Sequence, residues 1–404
     1  MIKKSRAVAL TVVACLITAI LTFYIATSGL GYNNTASQST SGGSTFSSSD
    51  IALLNEIRTR IKSSYYKDVD DETLITGAAK GMVEALGDDY SEYYTKQEYN
   101  DLLDTVSGEY YGIGVIIGID KDTKNVVIAK VFSDSPAEKA GLKQGDIFLK
   151  VNDTDVTGVT TEKLASLVKG EQGTTVTVVI DRDGTEKTIT VTRDKIEVDT
   201  IASKMLDNKI GYIIISQFGS NTADEFSSAL DTLVKDGAKG VVIDLRDNPG
   251  GLLDQVKSVA DKLLPKGTIV YTLDKSGNKT EYTSAASYVD IPIVVLVNGN
   301  SASASEILAG AVQDYGRGKI VGTTTFGKGI VQTMLPIITK SGAGLKLTTS
   351  TYYTPNGRSI HEKGIEPDVV VDLTQDLKDN PAKLTISNDN QLQKAIEVLK
   401  TEIK

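Results

Sequence analysis

Ile291-Pro-Ile-Val-Val-Leu-Val297, then Asn298-Gly-Asn300, then Ser301-Ala-Ser-Ala-Ser-Glu306, leading into a helical run to Tyr315 and on to Lys319-Ile-Val-Gly-Thr323, reads as strand, turn, helix and strand. Neither apolar run alternates with polar residues, so both strands are expected inside a buried sheet. The same rhythm precedes them. Ile210–Ile215 and Gly240–Leu245 read as strands, and Ala223–Val234 and Leu252–Leu264 as helices. Apolar strands alternating with helices predict a layered α/β core over residues 194–376.

From Gly108 to Arg193 the texture changes to short apolar runs broken by glycine. Gly112–Ile117, Asn125–Ala129, Asp146–Val151, Thr174–Ile180 and Thr188–Thr192 read as strands, with one helix over Val159–Leu167. This is the pattern of a small β-rich module inserted ahead of the core. Helical periodicity marks Ile51–Ile61 and Asp71–Leu86 in the segment 50–107, and Asn390–Lys400 in the tail 377–404. The amphipathic faces at both ends call for partner surfaces, and a homodimer is expected.

Composition narrows the function. The net charge is −9 and no Lys/Arg-rich block occurs, which argues against nucleic acid. No Cys-x-x-Cys or His-Glu-x-x-His spacing is present, so no metal is expected. Lys3, Lys4 and Arg6 precede an apolar stretch over 7–26, and no charge follows until Asp50. Twenty helical residues span about 30 Å, the thickness of a bilayer's hydrocarbon core. Residues 1–27 are therefore expected to be a cytoplasmic N-terminus and single-pass anchor, with the remainder outside the cytoplasm. If that segment is instead a cleaved signal peptide, the protein is secreted. Residues 28–49, rich in Ser, Thr, Gly and Asn, read as a flexible linker.

The chain has one histidine, His361, and one cysteine, Cys15, which lies inside the apolar stretch. A hydrolase with a side-chain nucleophile then most economically pairs serine with lysine. Ser301, Ser303 and Ser305 all lie where a strand turns into a helix, and spacing does not choose among them. Such a junction exposes a nucleophile beside helix N-terminal amides able to hold an oxyanion, although serines also serve there as ordinary caps. Lys328 sits in Phe326-Gly-Lys-Gly-Ile-Val-Gln332, an apolar setting for a charge. Gln332, four positions on, shares its face in a strand or a helix and would orient the amine. Asp244-Leu-Arg-Asp-Asn-Pro-Gly250-Gly251 ends a strand in a sharp turn with exposed amides.

Tyr110-Tyr-Gly-Ile-Gly-Val115 with Asp134-Ser-Pro-Ala-Glu-Lys-Ala-Gly-Leu-Lys-Gln-Gly-Asp146 resembles a PDZ domain, residues 108–193. The order of anchor, helical segment, PDZ, Asn-Pro-Gly-Gly, Ser-Ala-Ser-Ala-Ser-Glu and Phe-Gly-Lys-Gly-x-Val-Gln resembles the carboxyl-terminal processing peptidases, or tail-specific proteases, over roughly residues 50–404. The resemblance implies a crotonase-like layered core and a serine endopeptidase without cofactor. It further implies Ser303 as nucleophile, Lys328 as base and Gln332 as its orienter. The oxyanion donors would be the amides of Ala304 and of Gly250 or Gly251, Gly250 preferred. The PDZ loop Tyr111, Gly112, Ile113, Gly114, Val115 would receive substrate C-termini, and Lys169 would take part in gating. Asp88-Asp-Tyr-Ser91 departs from the proline-containing turn of relatives. An inactive PDZ adaptor and an acyl-group enzyme of crotonase-like architecture are the alternative readings.

Overall fold

The computed structural model describes residues 46–120, 123–338 and 342–403. The expected anchor over 7–26 and most of the expected linker lie outside them. Among the described residues no helix is long and apolar enough to cross a membrane.

The chain divides into two compact units at Leu74/Ile75. The first carries α1 (Ser48–Ser64) and the opening turn of α2 (Asp71–Glu84). Ser47 and Asp50 form a capping box that starts α1. The Arg58 guanidinium pairs with Asp71 at 2.7 Å. Helix α1 buries none of its residues, and Ile51, Leu54 and Ile57 are exposed.

In the second unit β1 (Glu92–Tyr94) and α3 (Lys96–Ser107) lead to β2 (Glu109–Gly112). The inserted module then forms an antiparallel sheet from β3 (Val115–Ile119), β4 (Val126–Val131), β5 (Ile147–Val151), β6 (Thr154–Asp155), β7 (Thr175–Arg182) and β8 (Thr185–Thr192). Helices α4 (Pro136–Lys139) and α5 (Thr161–Val168) complete it. Alternate strand residues Val176, Val178 and Ile180 point inward onto Phe148, Leu164 and Ile128. Strand β9 (Asp194–Glu197) pairs antiparallel with β2, so the entering and leaving chains zip together at the module's neck.

The core sheet runs β10 (Ile201–Leu206), β11 (Ile210–Ile215), β12 (Gly240–Asp244), β15 (Ile293–Val297), β16 (Gly318–Gly322) and β19 (Val369–Val370), with α6 (Thr222–Lys235) between β11 and β12. Helix α7 (Leu253–Leu263), the hairpin β13 (Gly267–Asp274) and β14 (Lys279–Ser284), and β15 (Ile293–Val297) follow. Then come α8 (Ala304–Asp314) and β16 (Gly318–Gly322). Strands β17 (Ile330–Pro336) and β18 (Gly344–Tyr353), β19 (Val369–Val370), α9 (Gln375–Asp379) and α10 (Asn390–Glu402) complete the chain.

Strands β11, β12, β15 and β16 are parallel. Their unbroken apolar runs are explained by helices on both faces. Ile213, Ile243 and Val295 face the cluster containing Phe226, Val259 and Leu308. Tyr212, Val242 and Val294 face Leu392, Ala395 and Leu399 of α10. A second, antiparallel sheet of β1, β18, β13 and β14, with β17 on β18, lies beyond α7 and α8, contributing Ile269, Val270 and Tyr352 to the larger cluster. The result is the layered α/β arrangement expected from the strand and helix alternation, although the second sheet was not foreseen.

Candidate active site

The parallel strands β12, β15 and β16 end beside one another, and the segments leaving their carboxyl ends carry the predicted residues. Ligands in open α/β sheets bind at such ends. A cavity of about 400 Å³ there is lined by Ser303, Lys328, Gln332, Gly250, Gly251 and Ala304 together. A larger one of about 580 Å³, around Lys239, Asp290 and Arg317, lies at the opposite ends of the same strands and holds none of them.

The three serines separate by environment. Ser301 is buried, its hydroxyl donating to the Leu245 carbonyl at 2.7 Å. Ser305 is buried and donates to the Asn248 carbonyl at 3.0 Å. Ser303 alone lines the cavity, at the start of α8 with φ 55° and ψ −112°. A non-glycine residue there costs of order 1–3 kcal/mol and persists only where its surroundings hold it.

Glu306 supplies much of that hold. Its fully buried carboxylate accepts from the Ser303 amide at 2.8 Å, the Lys328 amide at 2.9 Å, the Gly327 amide at 2.7 Å and the Thr325 hydroxyl at 2.6 Å. Four donors make a buried carboxylate tolerable. Ser303-x-x-Glu306 is a capping-box spacing, a signal that could have marked Glu306 in the sequence, where it was missed.

Lys328 is half-buried in the turn before β17. Burial pushes its pKa down from the ordinary lysine value, and the nearby Lys346 ammonium adds to that; Asp88 and Glu306 pull the other way. Its ammonium lies over the Tyr90 ring, 4.8 Å from the centroid. Among the described residues no hydrogen bond joins it to Ser303. Lys346, also lining the cavity, donates to the Tyr94 hydroxyl at 2.7 Å. Nothing in its local sequence singles Lys346 out.

Two expectations need correction. Lys328 and Gln332 do not share one regular element, because β17 begins only at Ile330 and its pairing with β18 shifts between Val331 and Gln332. The Gln332 amide nitrogen donates to the Thr348 hydroxyl at 3.4 Å. The Gly250 amide, preferred as an oxyanion donor, is directed onto Asn248 Oδ1 at 2.8 Å. Gly250 nevertheless packs on the serine: a Cβ there would lie 2.9 Å from Ser303 Cβ and 3.0 Å from the Ala304 amide nitrogen.

In the inserted module, Tyr111 and Gly112 are ladder-paired in β2, and Val115 opens β3. Ile113 and Gly114 make the connection, with Ile113 buried in the module core. Gly114 has φ 83°, and a Cβ there would lie 2.4 Å from that of Ser135, so only glycine fits. The Lys169 ammonium sits 3.1 Å from Asp104 and 3.4 Å from Asp101, both on α3.

A layered α/β core with a serine and a half-buried lysine at the carboxyl ends of its strands, carrying an inserted PDZ-like module, defines the class. The model of peptidase family S41 matches residues 209–371 and that of the PDZ domain residues 112–192. One for the activating protease CtpB N-terminal domain matches 16–98. The chain is 38% identical over 323 residues to the carboxy-terminal processing protease CtpA of Bacillus subtilis strain 168, covering 79% of this chain and 68% of that one. It is 41% identical over 315 residues to a "Probable CtpA-like serine protease" of Staphylococcus haemolyticus strain JCSC1435, covering 77% of this chain and 62% of that relative. A solved photosystem II D1 C-terminal processing protease aligns with TM-score 0.48 and 31% identity, over 80% of this chain and 90% of that one. The chain belongs to peptidase family S41, among its PDZ-containing carboxy-terminal processing proteases.

Proposed function

We propose that the protein is a serine endopeptidase that takes substrates by their C-termini and cleaves with a Ser303–Lys328 pair. One observation carries the reading: the partly buried serine, held at positive φ on a helix start, opens into the same cavity as a half-buried lysine whose charge is disfavoured. Neutral Lys328 takes the Ser303 hydroxyl proton as the oxygen adds to the scissile carbonyl. The oxyanion meets the Ala304 amide and that of Gly251, the Gly250 amide being held by Asn248. Lys328 then passes its proton to the leaving amine, and afterwards removes one from the water that releases the acyl group. Gln332 would steady the amine through its carbonyl oxygen.

The perch over Tyr90 is read as a resting position. To act, the Lys328 side chain turns toward Ser303. The PDZ module would take a substrate carboxylate at the connection between β2 and β3, with the peptide added along β3. Lys169 would relay occupancy to α3, whose Leu102, Thr105 and Val106 line the catalytic cavity. Residues 7–26 would anchor the chain with its catalytic part outside the cytoplasm. The exposed apolar face of α1 would serve a homodimer. The test is cleavage of an unfolded reporter protein with a free C-terminus by the full chain, beside Ser303→Ala and Lys328→Ala. Both variants should be inactive, and full activity in either ends the assignment.

A further inference from the structure

Tyr352, at the end of β18, is 2% exposed. Its phenol oxygen lies 3.0 Å from the Ser303 carbonyl oxygen and is also hydrogen-bonded to the Lys328 carbonyl. Its own amide donates to the carbonyl of Gly329 at 3.0 Å. The ring is packed in the larger apolar cluster, so the hydroxyl has little freedom to move. One phenol proton thus serves two carbonyls, those of the residues read as nucleophile and base.

We propose that Tyr352 is a positioning residue whose hydroxyl ties the Ser303 and Lys328 backbones together and sets the distance the serine proton must cross. The inference rests on the serine–lysine reading above. Glu306 grips the amide side of both residues, and Tyr352 grips the carbonyl side. With both backbones fixed, the lysine moves between the Tyr90 ring and the serine by side-chain rotation alone. Without the hydroxyl, the Lys328 carbonyl loses its donor while the Ser303 carbonyl keeps the amides of Glu306 and Ile307, so the link between the two is lost and the turn 327–329 is free to shift. A displacement near 1 Å at a reacting pair costs about 100-fold in rate. Because Tyr352 would touch no reacting atom, the loss should fall on kcat and spare KM.

The experiment measures peptide cleavage by the full chain, with folded protein quantified by near-ultraviolet circular dichroism. In Tyr352→Phe, kcat per folded molecule should fall about 10- to 100-fold, with KM unchanged within about twofold. Replacing Tyr352 by 4-aminophenylalanine, which restores N–H donors, should return most of that kcat. Replacing it by 4-methylphenylalanine, which fills the volume without a donor, should not. This last pair carries the test if Tyr352→Phe does not fold. Unchanged kcat in Tyr352→Phe, or equal activity in the amino and methyl variants, overturns the proposal. If cleavage depends on Ser303 while Tyr352→Phe is indifferent, only this inference falls. If Ser303→Ala cleaves like the parent, the reading beneath it falls as well.

Discussion

One carboxylate oxygen of Glu306 accepts the backbone amides of both Ser303 and Lys328, at 2.8 and 2.9 Å. Two residues 25 positions apart in sequence are thereby referred to a single buried atom. Glu306→Gln would keep the volume but turn an acceptor-only group into one with two N–H donors. At least one amide then loses its acceptor. The expected result is destabilisation of about 2–3 kcal/mol by urea titration, and a fall in kcat of about 100-fold. Unchanged values for both would show the clasp to be incidental.

Lys328 predicts the pH dependence. Because its pKa is lowered from 10.5, kcat/KM should rise with pH through that lowered value, as the neutral amine forms. Lys346→Met removes the second ammonium, so the limb should move to higher pH. A profile left in place would separate Lys346 from the base. Stability follows the same proton. Below the folded-state pKa both states are charged and the burial penalty is present in full. Between that pKa and 10.5 the unfolded chain binds the extra proton, so stability rises with pH. Lys328→Met should therefore be inactive yet more stable than the parent at neutral pH, with the advantage shrinking in alkaline solution.

Most of this architecture was legible where burial leaves a periodic trace. Ile293–Val297 and Gly240–Asp244 are buried throughout and announce themselves as apolar runs. Strand β18, Gly344–Tyr353, does not: its Thr348, Thr349, Ser350 and Thr351 are only partly buried and carry no apolar alternation. The sheet that presents Tyr352 and Lys346 to the site was therefore invisible, and with it both residues. Ser303 and Lys328 were picked out through their motifs, whereas Glu306 was missed although its capping spacing to Ser303 could have marked it. Where Gln332 points was not readable, because a register shift between neighbouring strands leaves no mark on either strand alone.

The C-terminal helix should matter to the distant site. Asp389 caps α10, accepting the Leu392 amide at 2.9 Å, and pairs with Arg246 at 2.7 Å. Arg246 is itself paired with Asp244, at the end of β12 just before the Asn-Pro-Gly-Gly turn. These groups are buried, so Asp389→Ala leaves part of the Arg246 charge uncompensated and removes a cap. A loss of about 3–5 kcal/mol is expected. Hydrogen exchange should report faster opening of β12 and β15, whose Val242 and Val294 rest on α10. Wild-type protection in those strands would count against the coupling.

Adjacent glycines should fail in different ways. Gly250 has φ 104°, and a Cβ there would sit 2.8 Å from the Ala302 carbonyl oxygen, against the serine and the Ala304 amide. Gly251 has φ 141°, and its Cβ would lie 2.3 Å from the Phe218 carbonyl oxygen, inside the bridge that fixes the turn to the end of β11. Gly250→Ala would crowd the pocket where the oxyanion forms, and kcat should drop about 100- to 1000-fold with KM little changed. Gly251→Ala would strike the scaffold, so its first signature should be a lowered melting temperature. If Gly250→Ala lost stability as severely as Gly251→Ala while its folded fraction kept full kcat, the amide donors would have to be sought elsewhere in the cavity.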